Sequence, residues 1–131
     1  MAQMPTYRES HSCGLVIHPQ NGPEIVVAGG YPNLDTVDIY VINSDVWFSS
    51  NRLPKPIYGS SVVPFNNEAL LPFVNSFLLV GGFSDGQYLA DIYQYRPGDD
   101  DDWIKLKAEL KTPRRSHVAL PVQHSLFSEC S

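Results

Sequence analysis

The chain has 131 residues, 43% of them apolar and 18% charged, a composition that suits one folded domain and excludes a disordered one. A net charge of -5, with the longest charge run acidic, leaves no basic stripe to neutralise phosphates and argues against nucleic acid as a partner. No apolar run approaches the roughly 20 residues that a membrane span needs, which argues against the membrane.

In chain order the signals are those of strands. Ser12 to Ile17 is short, apolar and β-prone, and Asn21-Gly22-Pro23 breaks it off as a turn. Ile25-Val26-Val27-Ala28 is a continuous β-branched run that reads as a buried strand, closed by Gly29-Gly30. Thr36 to Ile42 alternates: Val37, Ile39 and Val41 point one way, Asp38, Tyr40 and Ile42 the other. After the turn at Asn43 to Asp45, Val46-Trp47-Phe48 begins a fourth strand, and Leu53-Pro54-Lys55-Pro56 is a stiff connector. The plan then repeats. Ser60 to Phe65 is a strand, Asn66 to Val74 a long loop, and Phe77 to Val80 a buried strand ending in Gly81-Gly82. Ser84-Asp85-Gly86 turns, Leu89 to Tyr95 is the third strand, and Trp103 to Lys107 the fourth. His117 to Val122 reads as one further strand. Helix signals are confined to a single turn at Asn67 to Leu71.

The spacing decides how these elements group. Asp38-Ile39-Tyr40 recurs as Asp91-Ile92-Tyr93, a step of 53 residues, and each is followed by a tryptophan, Trp47 or Trp103. Arg8 to His11 recurs as Arg114 to His117, and His18 as His124, both at 106 residues, twice that step. Self-similarity near 50 residues with four short strands per unit marks a β-propeller blade. The expected units are about 8–53 and 54–111, with the start of a third over 112–131.

These residues resemble kelch repeats: a Gly-Gly doublet ends the second strand (Gly29-Gly30, Gly81-Gly82), a tyrosine lies in the third (Tyr40, Tyr93) and a tryptophan opens the fourth (Trp47, Trp103). The Arg-x-x-His segments are kelch-like as well; in the second unit Pro56-Ile57-Tyr58-Gly59 stands in their place. The resemblance implies an all-β, partial kelch-type β-propeller, with two four-stranded antiparallel blades plus one extra strand, acting as a non-enzymatic protein-interaction scaffold. Glycine there allows φ > 0 and close backbone approach, and the rings suit the gap between twisted blades.

His11 and His18 lie seven residues apart, as do His117 and His124. On an extended strand that puts the rings on opposite faces, ~23 Å apart at ~3.3 Å per residue, so no pair holds one ion. Framework histidines bonded to backbone are the expectation. Asp99 to Asp102 lacks the alternating ligands and central glycine of a calcium loop and reads as a solvated hairpin tip. No Gly-x-Ser-x-Gly elbow occurs, and Gly81 to Gly86 lacks the lysine of a phosphate loop. No metal or cofactor is therefore expected, and the two cysteines, Cys13 and Cys130, read as unpaired thiols. The N-terminus shows no signal peptide, which favours the cytoplasm.

Binding remains, and in propellers it belongs to the rim loops. The candidate residues are Tyr31 and Asn33 in one loop and Phe83, Asp85, Gln87 and Tyr88 in another, with Asn66 to Phe73 a third loop. A closed propeller has about four to eight blades, and two plus one strand do not make one. A segment of a longer propeller is the favoured expectation. Its rivals are three copies closing a six-bladed ring and a free two-blade sandwich. The alternative function is part of a propeller enzyme whose catalytic residues lie outside this chain.

Overall fold

The computed structural model describes residues 1–65, 76–98 and 103–121. Every regular element among them is a β-strand: β1 (Ser12–His18), β2 (Gly22–Gly30), β3 (Leu34–Val41), β4 (Val46–Ser50), β5 (Ser61–Phe65), β6 (Ser76–Val80), β7 (Phe83–Ser84), β8 (Gln87–Tyr88), β9 (Asp91–Tyr95) and β10 (Trp103–Glu109). Two four-stranded antiparallel sheets result, ordered β1-β2-β3-β4 and β10-β9-β6-β5, and neither closes on itself. A two-stranded hairpin, β7-β8, stands apart. Among the described residues no helix is long and apolar enough to cross a membrane.

The chain makes sheets because its apolar residues alternate, and alternate side chains on a strand share a face. Val16, Val26, Ala28, Val37 and Ile39 of the first sheet meet Phe77, Leu79, Tyr93 and Tyr95 of the second in one buried cluster, with Val62 and Trp103 packed against it. β1 runs beside β5 and β6. The join is tight at Gly14, where a Cβ would stand 2.6 Å from two carbons of the Phe77 ring. Phe77 stacks on Tyr95 at 5.2 Å and meets Trp103 edge-on at 5.8 Å, so aromatic rings fill the space between the sheets.

The opposite face of β3, which carries Asp38 and Tyr40, is also buried, which its alternation alone would not require. Tyr40 and Trp47 stack at 5.1 Å, the Trp47 indole donates to the Ala2 carbonyl at 3.0 Å, and the Ala2 amide donates to Asp45 at 2.7 Å. The N-terminal segment thus lies across this face. It ends in Arg8, whose guanidinium donates to the carbonyls of Gly29 (2.7 Å) and Thr36 (3.0 Å) and to the Asp38 carboxylate (2.6 Å).

Corresponding backbone bonds recur in the two units, and those made by the glycine doublets join one unit to the next. Gly30 donates to the Ile57 carbonyl at 2.9 Å and Gly82 to that of Arg114 at 2.8 Å; Leu53 donates to Asp35 at 2.8 Å and Leu110 to Ala90 at 2.9 Å. Ser10, Gly59 and Ser116 hold positive φ of 52°, 70° and 54° and are linked in series, Gly59 donating to Ser10 at 2.9 Å and Ser116 to Gly59 at 2.7 Å. The glycine doublets serve these joints. Gly29 and Gly81 have φ of 65° and 64°, and a Cβ on either would strike the carbonyl oxygen of the incoming connector, Ile57 or Arg114.

Two expectations about strands need correction. The strand expected from His117 to Val122 is not formed over residues 117–121; no described strand pairs with it, and it is held to the second sheet by Ser61, whose hydroxyl donates to the His117 carbonyl, and by the His117 ring against Gly81. Leu89 and Ala90 fall outside β9, because their peptide groups bond to Gly82, Arg114 and Leu110 and not to β6. Val122, the helical turn at Asn67 to Leu71, the loop Asn66 to Phe73, Asp99 to Asp102, His124 and Cys130 lie outside the described residues.

Candidate functional site

The loops that follow the glycine doublets leave the sheets at one end, the end to which β2 and β6 run. Tyr31 follows Gly30 directly and Phe83 follows Gly82. Each meets the connector ahead of a first strand as an isolated bridge, Tyr31 with Glu9 and Phe83 with Tyr58. The repeat therefore delivers to one rim both the residue after each doublet and the residue before each left-handed position.

There the side chains form a continuous aromatic row. Tyr31 meets Tyr58 edge-on at 5.6 Å, Tyr58 meets Phe83 at 5.3 Å, and Phe83 meets Tyr88 edge-on at 5.3 Å. Edge-to-face rings at these distances gain about 0.5–1.5 kcal/mol beyond their burial. Arg115 caps the row: its guanidinium carbon lies 4.7 Å from the Phe83 centroid, 5.5 Å from that of Tyr88 and 5.7 Å from that of Tyr58. It also donates to the Tyr58 hydroxyl at 3.3 Å. Rings hold a cation in this way through the negative charge of their faces. Tyr31 and Tyr88 nevertheless remain 52% and 56% exposed.

The structure thus brings together three of the six candidate rim residues, Tyr31, Phe83 and Tyr88. Asn33, Asp85 and Gln87 are exposed beside them without joining the row. Asp85 and Gly86, with φ of 47° and 79°, form the tip of the β7-β8 hairpin that carries Phe83 and Tyr88. Sequence reasoning missed Tyr58 and Arg115. The available signal was positional: both stand one residue before a left-handed residue, Gly59 or Ser116, in the same register of the repeat as Glu9 before Ser10.

The histidines have separate settings. His18 accepts at Nδ1 from the amides of Gln20 (3.1 Å) and Asn21 (3.2 Å), capping the β1-β2 turn as a framework residue. His11 is exposed. The His117 ring packs against Gly81, and burial, helped by the Arg114 charge, holds its pKa below the ordinary imidazole value. Among the described residues no three His, Cys, Asp or Glu side chains converge to hold a metal ion. No protein-family model matches the chain, and no curated protein matches it.

Proposed function

We propose that the chain is a segment of a kelch-type β-propeller that acts as a non-enzymatic protein-interaction scaffold and binds its partner on the aromatic rim. The observation that carries this reading is the row Tyr31–Tyr58–Phe83–Tyr88 with Arg115 over it. Tyrosine and arginine are among the side chains that interfaces concentrate, because they bring large contact area with a polar tip. The row is carried by the β7-β8 hairpin and by connectors tied to it through backbone bonds, which order it before any partner arrives. The serial bonds through Ser10, Gly59 and Ser116 support the blade assignment, since they relate three successive connectors in the same way.

The test is affinity capture with quantification, comparing the wild type with the double variant Tyr88→Ala/Arg115→Ala and with Lys107→Ala, an exposed control on β10. The expected outcome is a defined protein retained by the wild type and the control and reduced at least tenfold with the double variant. Retention unchanged by the double variant would remove the rim from the reading. Light scattering on the purified chain separates the assemblies: a discrete trimer, three times 14.6 kDa, means the chain completes its own ring, and a monomer means the ring needs other blades.

A further inference from the structure

At the other end of β2 from Tyr31 a second feature stands, independent of the rim. Glu24 is 1% exposed, on the same face of β2 as Val26 and Ala28 and thus toward the second sheet. Its Oε1 accepts a hydrogen bond from the Asn21 side-chain amide at 2.8 Å. Its Oε2 is shut off from bulk water and has no hydrogen-bond partner. A buried carboxylate oxygen without a partner is costly, and such groups are rare in native folds.

Glu24 lines a cavity of about 220 Å³ between the sheets, with Ile39, Phe48 and Tyr95 as apolar and aromatic walls and His18, Ser50 and Gly98 at its border. Because His18 Nδ1 is taken by two backbone amides, the neutral ring carries its proton on Nε2, which lies 3.7 Å from the point where a Cβ on Gly98 would stand. A second hollow of about 420 Å³, lined by Ile17, His18, Pro19 and Pro97, shares His18 as its wall.

We propose that this cavity binds a small protonated amine, the ammonium pairing with the Glu24 carboxylate and the hydrocarbon body resting against Phe48 and Tyr95. The charge of Glu24, the one carboxylate that lines this cavity among the described residues, selects a cation over an anion. A divalent metal is disfavoured, because Glu24 and His18 are two donors and no third converges among the described residues. Aromatic walls add cation–π attraction that a hydrated metal would not use. The volume is below the roughly 300–1,000 Å³ of pockets for drug-sized ligands, so the body is short. The same chemistry is offered by a free alkylamine and by a lysine side chain reaching in from another protein.

The experiment is an NMR titration of the full chain with n-butylamine hydrochloride at fixed ionic strength, reading the resonances of Glu24, Ile39 and Phe48. n-Butanol, the same body without charge, runs in parallel. The expected result is saturable binding at ~1–10 mM, the range a ligand of this size reaches. Butanol should bind at least tenfold more weakly, and Glu24→Gln should weaken butylamine at least tenfold. The butanol comparison needs no variant, so a Glu24→Gln chain that fails to fold leaves the test intact. Equal binding of butanol and butylamine, or no shift at these residues up to 100 mM (on the order of ten times the expected range), overturns the proposal. An Nα-acetyl-lysine methylamide arm identifies the source: tighter than butylamine, it assigns the site to a lysine side chain; weaker, to a free amine.

Discussion

Asp38 and Asp91 occupy the same place in the two copies of the Asp-Ile-Tyr motif, yet the two units neutralise them by different means. In the first unit Asp38 is 2% exposed and meets one cation, the Arg8 guanidinium, itself fully buried, at 2.6 Å, with Ser49 adding a hydrogen bond at 3.3 Å. In the second unit Asp91 is 15% exposed and shared between Lys55 at 2.9 Å and Lys105 at 3.6 Å, with the Tyr93 hydroxyl at 3.2 Å. The position of Arg8 in the repeat is taken there by Ile57, buried at the joint between the units. One unit has a single, dry ion pair, its Arg8 Nε left without a partner; the other has a wetter and redundant one. A buried pair contributes little net stability over an apolar isostere, but its rupture leaves an uncompensated charge, whereas a half-exposed pair is worth little either way.

The largest expected effect breaks that contrast directly. Arg8→Ala leaves Asp38 buried without its cation and releases the carbonyls of Gly29 and Thr36 as well, for a loss of about 3–5 kcal/mol in urea unfolding. Asp91→Asn should cost about 1 kcal/mol or less. The double change Arg8→Met/Asp38→Leu should recover most of the Arg8→Ala loss, since it removes both charges together. Equal losses for Arg8→Ala and Asp91→Asn would mean that the two units are held alike.

The next effect lies at the joints, where the units agree. Gly29→Ala and Gly81→Ala each put a Cβ into a connector carbonyl at positive φ, so each should cost about 2–4 kcal/mol. Gly86→Ala, also at positive φ but with nothing within 4 Å of its Cβ, isolates the backbone strain alone and should cost about 1 kcal/mol. If all three cost the same in thermal unfolding, the connectors yield and the joints are not tight.

Much of the fold was legible because strand signals are local. Alternation and turn residues put the eight principal strands within a few residues of where they lie, and the doublets at Gly29-Gly30 and Gly81-Gly82 take the positive φ expected of them. What could not be read depends on contacts distant in sequence. Nothing local in Thr36 to Ile42 tells that both faces of β3 are buried, because the N-terminal segment that covers one face lies about thirty residues earlier. His117 onward has the pattern of a first strand, but pattern alone does not supply the neighbour that a strand needs. At the rim, three of six candidate residues could be picked because they are aromatic beside a turn. Arg115 escaped because its segment read as a framework marker, and its place over Phe83 follows from the three-dimensional stacking of connectors.

The smallest effects come from pH, and they sharpen the same comparison. Burial pushes the Asp91 carboxyl up, but the hydrogen bond and charge of Lys55, joined by Lys105, outweigh it and leave its pKa below the ordinary 3.8. The hydrogen bond that Lys55 donates to Asp91 lifts its own pKa above 10.5. A depressed carboxyl contributes stability that is present above 3.8 and lost as pH falls through its folded value; a raised lysine contributes stability present below 10.5 and lost as pH rises through its folded value. The second unit should therefore weaken at both extremes, and Asp91→Asn should flatten both arms of a plot of Tm against pH. His117 adds a third, shallower slope. Burial and then the Arg114 charge hold its pKa below 6.5, so the folded chain prefers the neutral ring. That preference is fully present above 6.5 and is lost as pH falls through the folded value. Its ring is only partly buried, so solvent screens the effect and the expected drop in Tm is the least of the three. His117→Gln should remove it while leaving the Asp91 arms unchanged. A slope near pH 6 that survives His117→Gln would remove His117 from this account.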